Sequence, residues 1–160
     1  MRRPPRIAVV LPAAVAVTVA MPLLRGLPGG MALPDPLLLL LLAAVPRRLG
    51  QVRRAAAWVF LFGLLRASVS AASPFASWAG YGLGLAMRSL AQRYLAEDRF
   101  LARLLLGVCA ALPLGLLDHL VSARLFAPMA IELTLARMLL VGLLWAVAMA
   151  PPPMRRELAS

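Results

Sequence analysis

Six ionisable residues lie inside or at the edges of long apolar stretches, where they could carry out chemistry or hold the chain together. They are Asp35, Arg66, Asp118, His119, Glu132 and Arg137. Asp118 and His119 could act on a serine nucleophile, for which Ser68, Ser70 and Ser73 are the candidates. Adjacent residues on a helix point about 100° apart, however, so these two cannot form a ready dyad. Since the chain also has no Gly-x-Ser-x-Gly and no His-Glu-x-x-His motif, we predict that it is not an enzyme.

A charged side chain inside a membrane is costly unless it pairs with an opposite charge or reaches water. All six residues fall in the outer half of the bilayer if the apolar stretches cross a membrane in the order given below. One interpretation is a structural cluster, in which Arg66 and Arg137 pair with Asp118 and Glu132. The other is a polar cavity open to the outside, used for a ligand or a partner. In the structural cluster, we expect Arg66 to lie within ion-pair reach of Asp118 or Glu132.

The composition is that of a polytopic membrane protein. Hydrophobic residues make up 62% of the 160 and charged residues 14%, against about 25% charged in soluble domains, and the mean hydropathy is +0.87. All 17 basic residues are arginines in short clusters between apolar runs, so we expect membrane lipid, and no nucleic acid, as their partner. Without lysine there is no P-loop, and the single cysteine, Cys109, excludes an intrachain disulfide and a multi-cysteine metal site. We predict no cofactor.

Six apolar stretches predict an all-α fold, a six-helix transmembrane bundle that forms one domain over residues 1–160. The two central spans lie between Trp58 and Tyr94 and are joined by a short turn of serine, alanine and proline. The second span is short for the ~20 residues of a straight crossing, so we expect a thin or distorted helix there. The predicted spans are residues 7–24, 31–45, 55–70, 75–90, 101–121 and 129–150.

The distribution of arginines predicts the orientation of these spans, because cytoplasmic loops carry an excess of basic residues. With the N-terminus inside, the outer loops hold only Arg25 and Arg124, while Arg66 and Arg137 lie within spans. The thirteen other arginines fall on the cytoplasmic side: Arg2, Arg3, Arg6, Arg47, Arg48, Arg53, Arg54, Arg88, Arg93, Arg99, Arg103, Arg155 and Arg156. We therefore predict that both termini are cytoplasmic.

Small residues recur every four positions on two of the spans. They are Ala76, Gly80 and Gly84 in the fourth span, and Gly107, Ala111 and Gly115 in the fifth. Such stripes let helix backbones approach closely in lipid. They could serve packing inside the bundle or an interface with a partner protein, and the two uses are compatible on different faces.

The turn between the central spans has a distinctive pattern. Residues 63–65 (GLL) are followed by residues 70–75 (SAASPF) and then by residues 79–83 (AGYGL). Together with the six spans and with Pro34-Asp35 before a leucine-rich second span, this resembles the MreD family of rod-shape-determining membrane proteins. The family pattern is a Gly-Leu span end, a Ser-x-x-Pro-Leu-Gly turn and an apolar span that contains tyrosine. The resemblance extends over most of the chain.

The resemblance implies a non-enzymatic scaffold of the cell-elongation machinery, or elongasome, in the bacterial inner membrane. The implied partners are the bitopic protein MreC and, through it, the MreB filament, the RodA glycosyltransferase and a penicillin-binding transpeptidase. These partners would link the chain to peptidoglycan synthesis and cell shape. The chain departs from the family pattern at Arg66, where aspartate is common, at Ala76, which replaces the turn glycine, and at Arg137, in a region where asparagine is common.

The family's bundle is also similar to the substrate-binding subunits of energy-coupling-factor vitamin transporters. The alternative function is therefore that of a small-molecule uptake subunit. Such a subunit needs a ligand cavity open to the outside and a small-residue face for its coupling protein, and the charged residues and glycine stripes could supply both. Against this, the outer loops are short, and only three tryptophans and two tyrosines are available to line a pocket.

Overall fold

A computed structural model describes residues 7–27, 33–45, 52–70, 72–95, 99–125 and 130–150 of the chain. Over these residues the backbone forms six helices and no strand, so the predicted all-α class is correct for the described part. The helices are α1 (Ile7–Gly26), α2 (Pro36–Ala44), α3 (Val52–Ala67), α4 (Pro74–Ala91), α5 (Phe100–Arg124) and α6 (Ile131–Ala148).

Within the described ranges, three helices are long and apolar enough to cross a membrane: α1, α5 and α6. The nine residues of α2 and the 16 of α3 are fewer than a straight crossing needs. The 18 residues of α4 include serines, glycines and Arg88. Three apolar helices of this length are typical of a membrane protein.

Consecutive helices run in opposite directions, as polar contacts at the two ends of the bundle show. Arg66, in the last turn of α3, bonds to Asp35 at the start of α2 and to Asp118 in the later part of α5. At the opposite end, Arg88 in the last turn of α4 bonds to the carbonyl of Leu42 near the end of α2. We call these the Arg66 end and the Arg88 end of the bundle.

The short helix α2 lies at the centre of the packing, and its leucines form much of the core. The four most buried are Leu37, Leu38, Leu41 and Leu42. Asp35 caps the helix by accepting a hydrogen bond from the N–H of Leu37, and Pro36 suits the first position because its missing N–H would have no partner there. The helix ends before Val45, which is extended and precedes Pro46 in the sequence.

The observed helices differ from the predicted spans mainly at their ends. α2 is much shorter than the predicted span 31–45, of which residues 31–32 lie outside the described residues. α3 begins and ends three residues before its predicted span. Arg88 and Arg103, which we expected on the cytoplasmic side of the spans, are buried inside α4 and α5. They are not solvated loop residues, because their guanidinium groups bond to carbonyl groups of neighbouring helices.

The small-residue stripe of α4 faces α5. A Cβ atom added to Gly84 would collide with the backbone carbonyl oxygen of Ala110. One added to Gly80 would lie 2.6 Å from the Leu114 side chain, which is also too close. Ala76, the first residue of this stripe, is half-buried. The two glycines therefore set the distance between α4 and α5.

The glycines of the α5 stripe face α6. A Cβ atom on Gly107 would lie 2.7 Å from the Cα of Gly142 in α6, so these two backbones are in direct contact. Gly115 faces the side chain of Met138 in α6, and Ala111 is buried. Both stripes serve contacts within the chain.

Candidate functional site

Arg66 forms a charge triad with Asp35 and Asp118. Its Nε donates to Asp35 Oδ2 over 2.7 Å, and its Nη2 lies 2.6 Å from each carboxylate oxygen of Asp118. The three residues come from the end of α3, the position before α2 and the later part of α5. The charge triad therefore joins three helices at the Arg66 end.

The charge triad is largely withdrawn from solvent. The side chains of Arg66, Asp35 and Asp118 are 3%, 9% and 24% exposed. Hydrogen bonds between ionised groups are shorter and stronger than neutral ones, and these distances are at the short end of the range. Because removal of water from three charges is costly, the arrangement is stable only while each charge keeps its partners.

Asp35 makes more contacts than the sequence suggested. Besides Arg66, it accepts a hydrogen bond from the N–H of Leu37 over 3.0 Å and one from the hydroxyl of Tyr81 over 3.1 Å. Tyr81 belongs to α4 and is fully buried, and the Arg66 guanidinium lies 5.9 Å from its ring centre. Asp35 thus connects the start of α2 to both α3 and α4.

A small cavity lies beside the charge triad and has a volume of about 30 Å³. Its charged and hydroxyl-bearing lining residues are Arg25, Asp35, Asp118, Thr134 and Arg137. Such a volume holds about two water molecules, whereas pockets for small organic ligands start at roughly 300 Å³. The cavity therefore fits one small group and cannot enclose a vitamin-sized molecule.

No family model, no curated protein and no solved structure matches the chain.

The geometry of the site itself decides which chemistry it supports. Within the described ranges, no group of three His, Cys, Asp or Glu side chains is placed to hold a metal ion. The oxygens of Asp35 and Asp118 already accept several hydrogen bonds, so they are poorly placed to act as general bases. The arrangement can hold three helices together, and it places charged side chains beside the small cavity.

The remaining candidate residues lie around the charge triad. Arg137 lines the cavity and His119 is half-buried next to Asp118, whereas Glu132 is exposed in the first turn of α6. Asp118, which we considered as one half of a catalytic pair, is bonded to Arg66 instead.

The serines near the turn between α3 and α4 have local roles. Ser68 donates to the carbonyl of Leu65, and the hydroxyl of Ser73 accepts from the N–H of Ala76, which caps α4. Ser70 is half-buried. These contacts are those of residues that end one helix and begin the next.

Two buried arginines satisfy helix carbonyls at the Arg88 end. Arg88 is 4% exposed, donates to the carbonyl of Leu42 over 2.9 Å and lies 4.7 Å from the ring centre of Trp145. Arg103 is 8% exposed and donates to the carbonyl of Met149 over 3.3 Å. The last carbonyls of a helix have no partner within it, and in a membrane each must find one. The arginines of α4 and α5 thus complete the ends of α2 and α6.

Proposed function

We propose that the protein is a polytopic protein of the bacterial inner membrane that acts as a non-enzymatic scaffold of the rod-shape machinery. In this role it binds an MreC-like bitopic protein and, through it, connects to MreB, RodA and a penicillin-binding transpeptidase. The motif at residues 63–83 and the overall pattern of spans support the assignment.

The observation that carries the proposal is the charge triad. Three of the six ionisable residues considered for a reactive or ligand-binding centre, Asp35, Arg66 and Asp118, bond to one another, and these bonds hold α2, α3 and α5 together. A bundle fixed in this way presents rigid helix faces, which is what a scaffold needs. The volume of the cavity weighs against the alternative, an uptake subunit for vitamin-sized molecules.

The surface available for a membrane partner is apolar and lies on the first and last helices, α1 and α6. α6 exposes a face with one residue per helical turn, and α1 exposes another. The first consists of Leu135, Leu139, Leu143 and Val147, and the second includes Val15, Val19 and Leu23. In a membrane these faces contact either lipid or the transmembrane helix of a bitopic protein.

The proposal includes six spans with both termini in the cytoplasm, so the Arg88 end is the inner end. Exposed arginines at that end support this orientation: Arg53, Arg54, Arg93 and Arg99. A fluorescent protein fused after Ser160 should fold and fluoresce, whereas alkaline phosphatase at that position should be inactive. A phosphatase inserted between α5 and α6 should be active. Active phosphatase after Ser160 would reverse the orientation or change the number of spans.

Site-specific photo-crosslinking tests the scaffold function. A photo-reactive amino acid at Leu139 on α6 or at Val19 on α1 should crosslink the full-length protein to a co-expressed MreC-like bitopic protein. Since Leu106 is fully buried, the same amino acid there should give no crosslink and serves as the control. The proposal fails if neither exposed face gives a crosslink, and co-purification with the coupling protein of a vitamin transporter would support the uptake alternative.

A further inference from the structure

A row of exposed arginines lies at the Arg88 end of the bundle, where α3 begins, α4 ends and α5 begins. We call Arg53, Arg93 and Arg99 the arginine row. Because α3 packs against α4 and α4 packs against α5, the three residues follow one edge of the bundle. All three side chains are exposed, and none of them forms an ion pair within the described residues.

The acidic residues of the described part of the chain all lie at the opposite end. They are Asp35 before α2, Asp118 in the later part of α5 and Glu132 in the first turn of α6. The connection between α4 and α5 also carries Glu97 and Asp98, which lie outside the described residues. These two acids can balance at most two of the three charges, so the arginine row keeps a positive excess.

The arginine row borders the apolar surface of the bundle. Its direct neighbours in the sequence include Val52, Tyr94 and Phe100, all of which are exposed. Exposed apolar side chains of a membrane-spanning bundle contact lipid, and tyrosine is enriched where the acyl chains meet the headgroups. The arginine row therefore lies at the level of the lipid headgroups.

From this placement we infer that the arginine row binds the headgroups of anionic phospholipids on the side of the bundle formed by α3, α4 and α5. A guanidinium group can donate two parallel hydrogen bonds to a phosphate, and its charge favours a headgroup with net negative charge. The inference goes beyond orientation, because it predicts a choice between lipids of the same leaflet. It is independent of the scaffold function and leaves the exposed faces of α1 and α6 to a protein partner.

Native mass spectrometry of the full-length protein in a neutral detergent tests the choice of lipid. With equal amounts of phosphatidylglycerol and phosphatidylcholine, the first bound lipid should be phosphatidylglycerol by at least about fivefold, the effect of one basic residue near an anionic surface. The preference should weaken as salt is added. Inorganic phosphate at constant ionic strength should not displace the lipid, and displacement would contradict a lipid site.

Variants assign the preference to the arginine row. The combined variant Arg53→Gln, Arg93→Gln and Arg99→Gln should bind the two lipids about equally, whereas Arg99→Lys should keep the preference because it keeps the charge. Arg124→Gln is the matched control for Arg99→Gln, since Arg124 is an exposed arginine at the Arg66 end. Equal binding of the two lipids by the unmodified protein, or equal losses in Arg99→Gln and Arg124→Gln, would overturn the inference.

Discussion

Arg66→Leu is expected to destabilise the folded bundle by about 3–5 kcal/mol, because it leaves the partly buried carboxylates of Asp35 and Asp118 without their shared cation. For a chain of this size, that corresponds to a fall in Tm of roughly 6–20 °C. The measurement is thermal unfolding in detergent with a thiol-reactive dye. The single cysteine, Cys109, is half-buried in the folded bundle and would report unfolding at one site.

The charge triad makes a specific prediction about combined substitutions. Arg66→Leu together with Asp35→Asn and Asp118→Asn should recover much of the lost stability, since no unpaired charge then remains. The control is Arg124→Leu, which removes an exposed arginine and should change stability by no more than about 0.5 kcal/mol. If the effects of the three substitutions of the charge triad are simply additive, the three side chains do not interact in the folded protein.

The second large effect is expected at Gly84. A methyl group added there by Gly84→Ala would collide with the carbonyl oxygen of Ala110, so α4 and α5 must move apart. We expect a loss of about 1–3 kcal/mol, the usual cost of inserting atoms into a well-packed interior. The same unfolding measurement applies, together with the yield of folded protein.

Gly82 provides a matched control two residues away on the same helix. A Cβ atom there would meet nothing within 4 Å, so Gly82→Ala has only the benefit of a better helix former, up to about 1 kcal/mol. The two alanine variants should therefore change stability in opposite directions. Equal effects would mean that α4 and α5 are less closely packed than the structure shows.

The sequence was sufficient to predict the helices and one ion pair, that of Arg66 with Asp118, but not Asp35 as the second partner of Arg66. The apolar stretches and the charge clusters between them predict helices. The rise per residue of an α-helix then places Arg66 and Asp118 at a similar depth in the membrane. Sequence alone did not identify Tyr81 as a partner of Asp35, or Arg88 as a donor to Leu42. Each of these contacts joins residues 46 positions apart and depends on which faces two helices turn toward each other. When a helix is apolar on nearly all sides, its sequence does not show which face points inward.

The length of α2 has a consequence for the insertion of the chain into the membrane during synthesis. Nine residues form a helix about 14 Å long, less than half of a ~30 Å hydrocarbon core, so α2 is a poor membrane-insertion signal by itself. Asp35 also adds a charge at its start that Arg66 neutralises only when synthesis has proceeded 31 residues further. We therefore expect α2 to remain at the membrane surface until α3 has been synthesised. The two helices would then enter the bilayer together as a hairpin in which Asp35 and Arg66 are already paired.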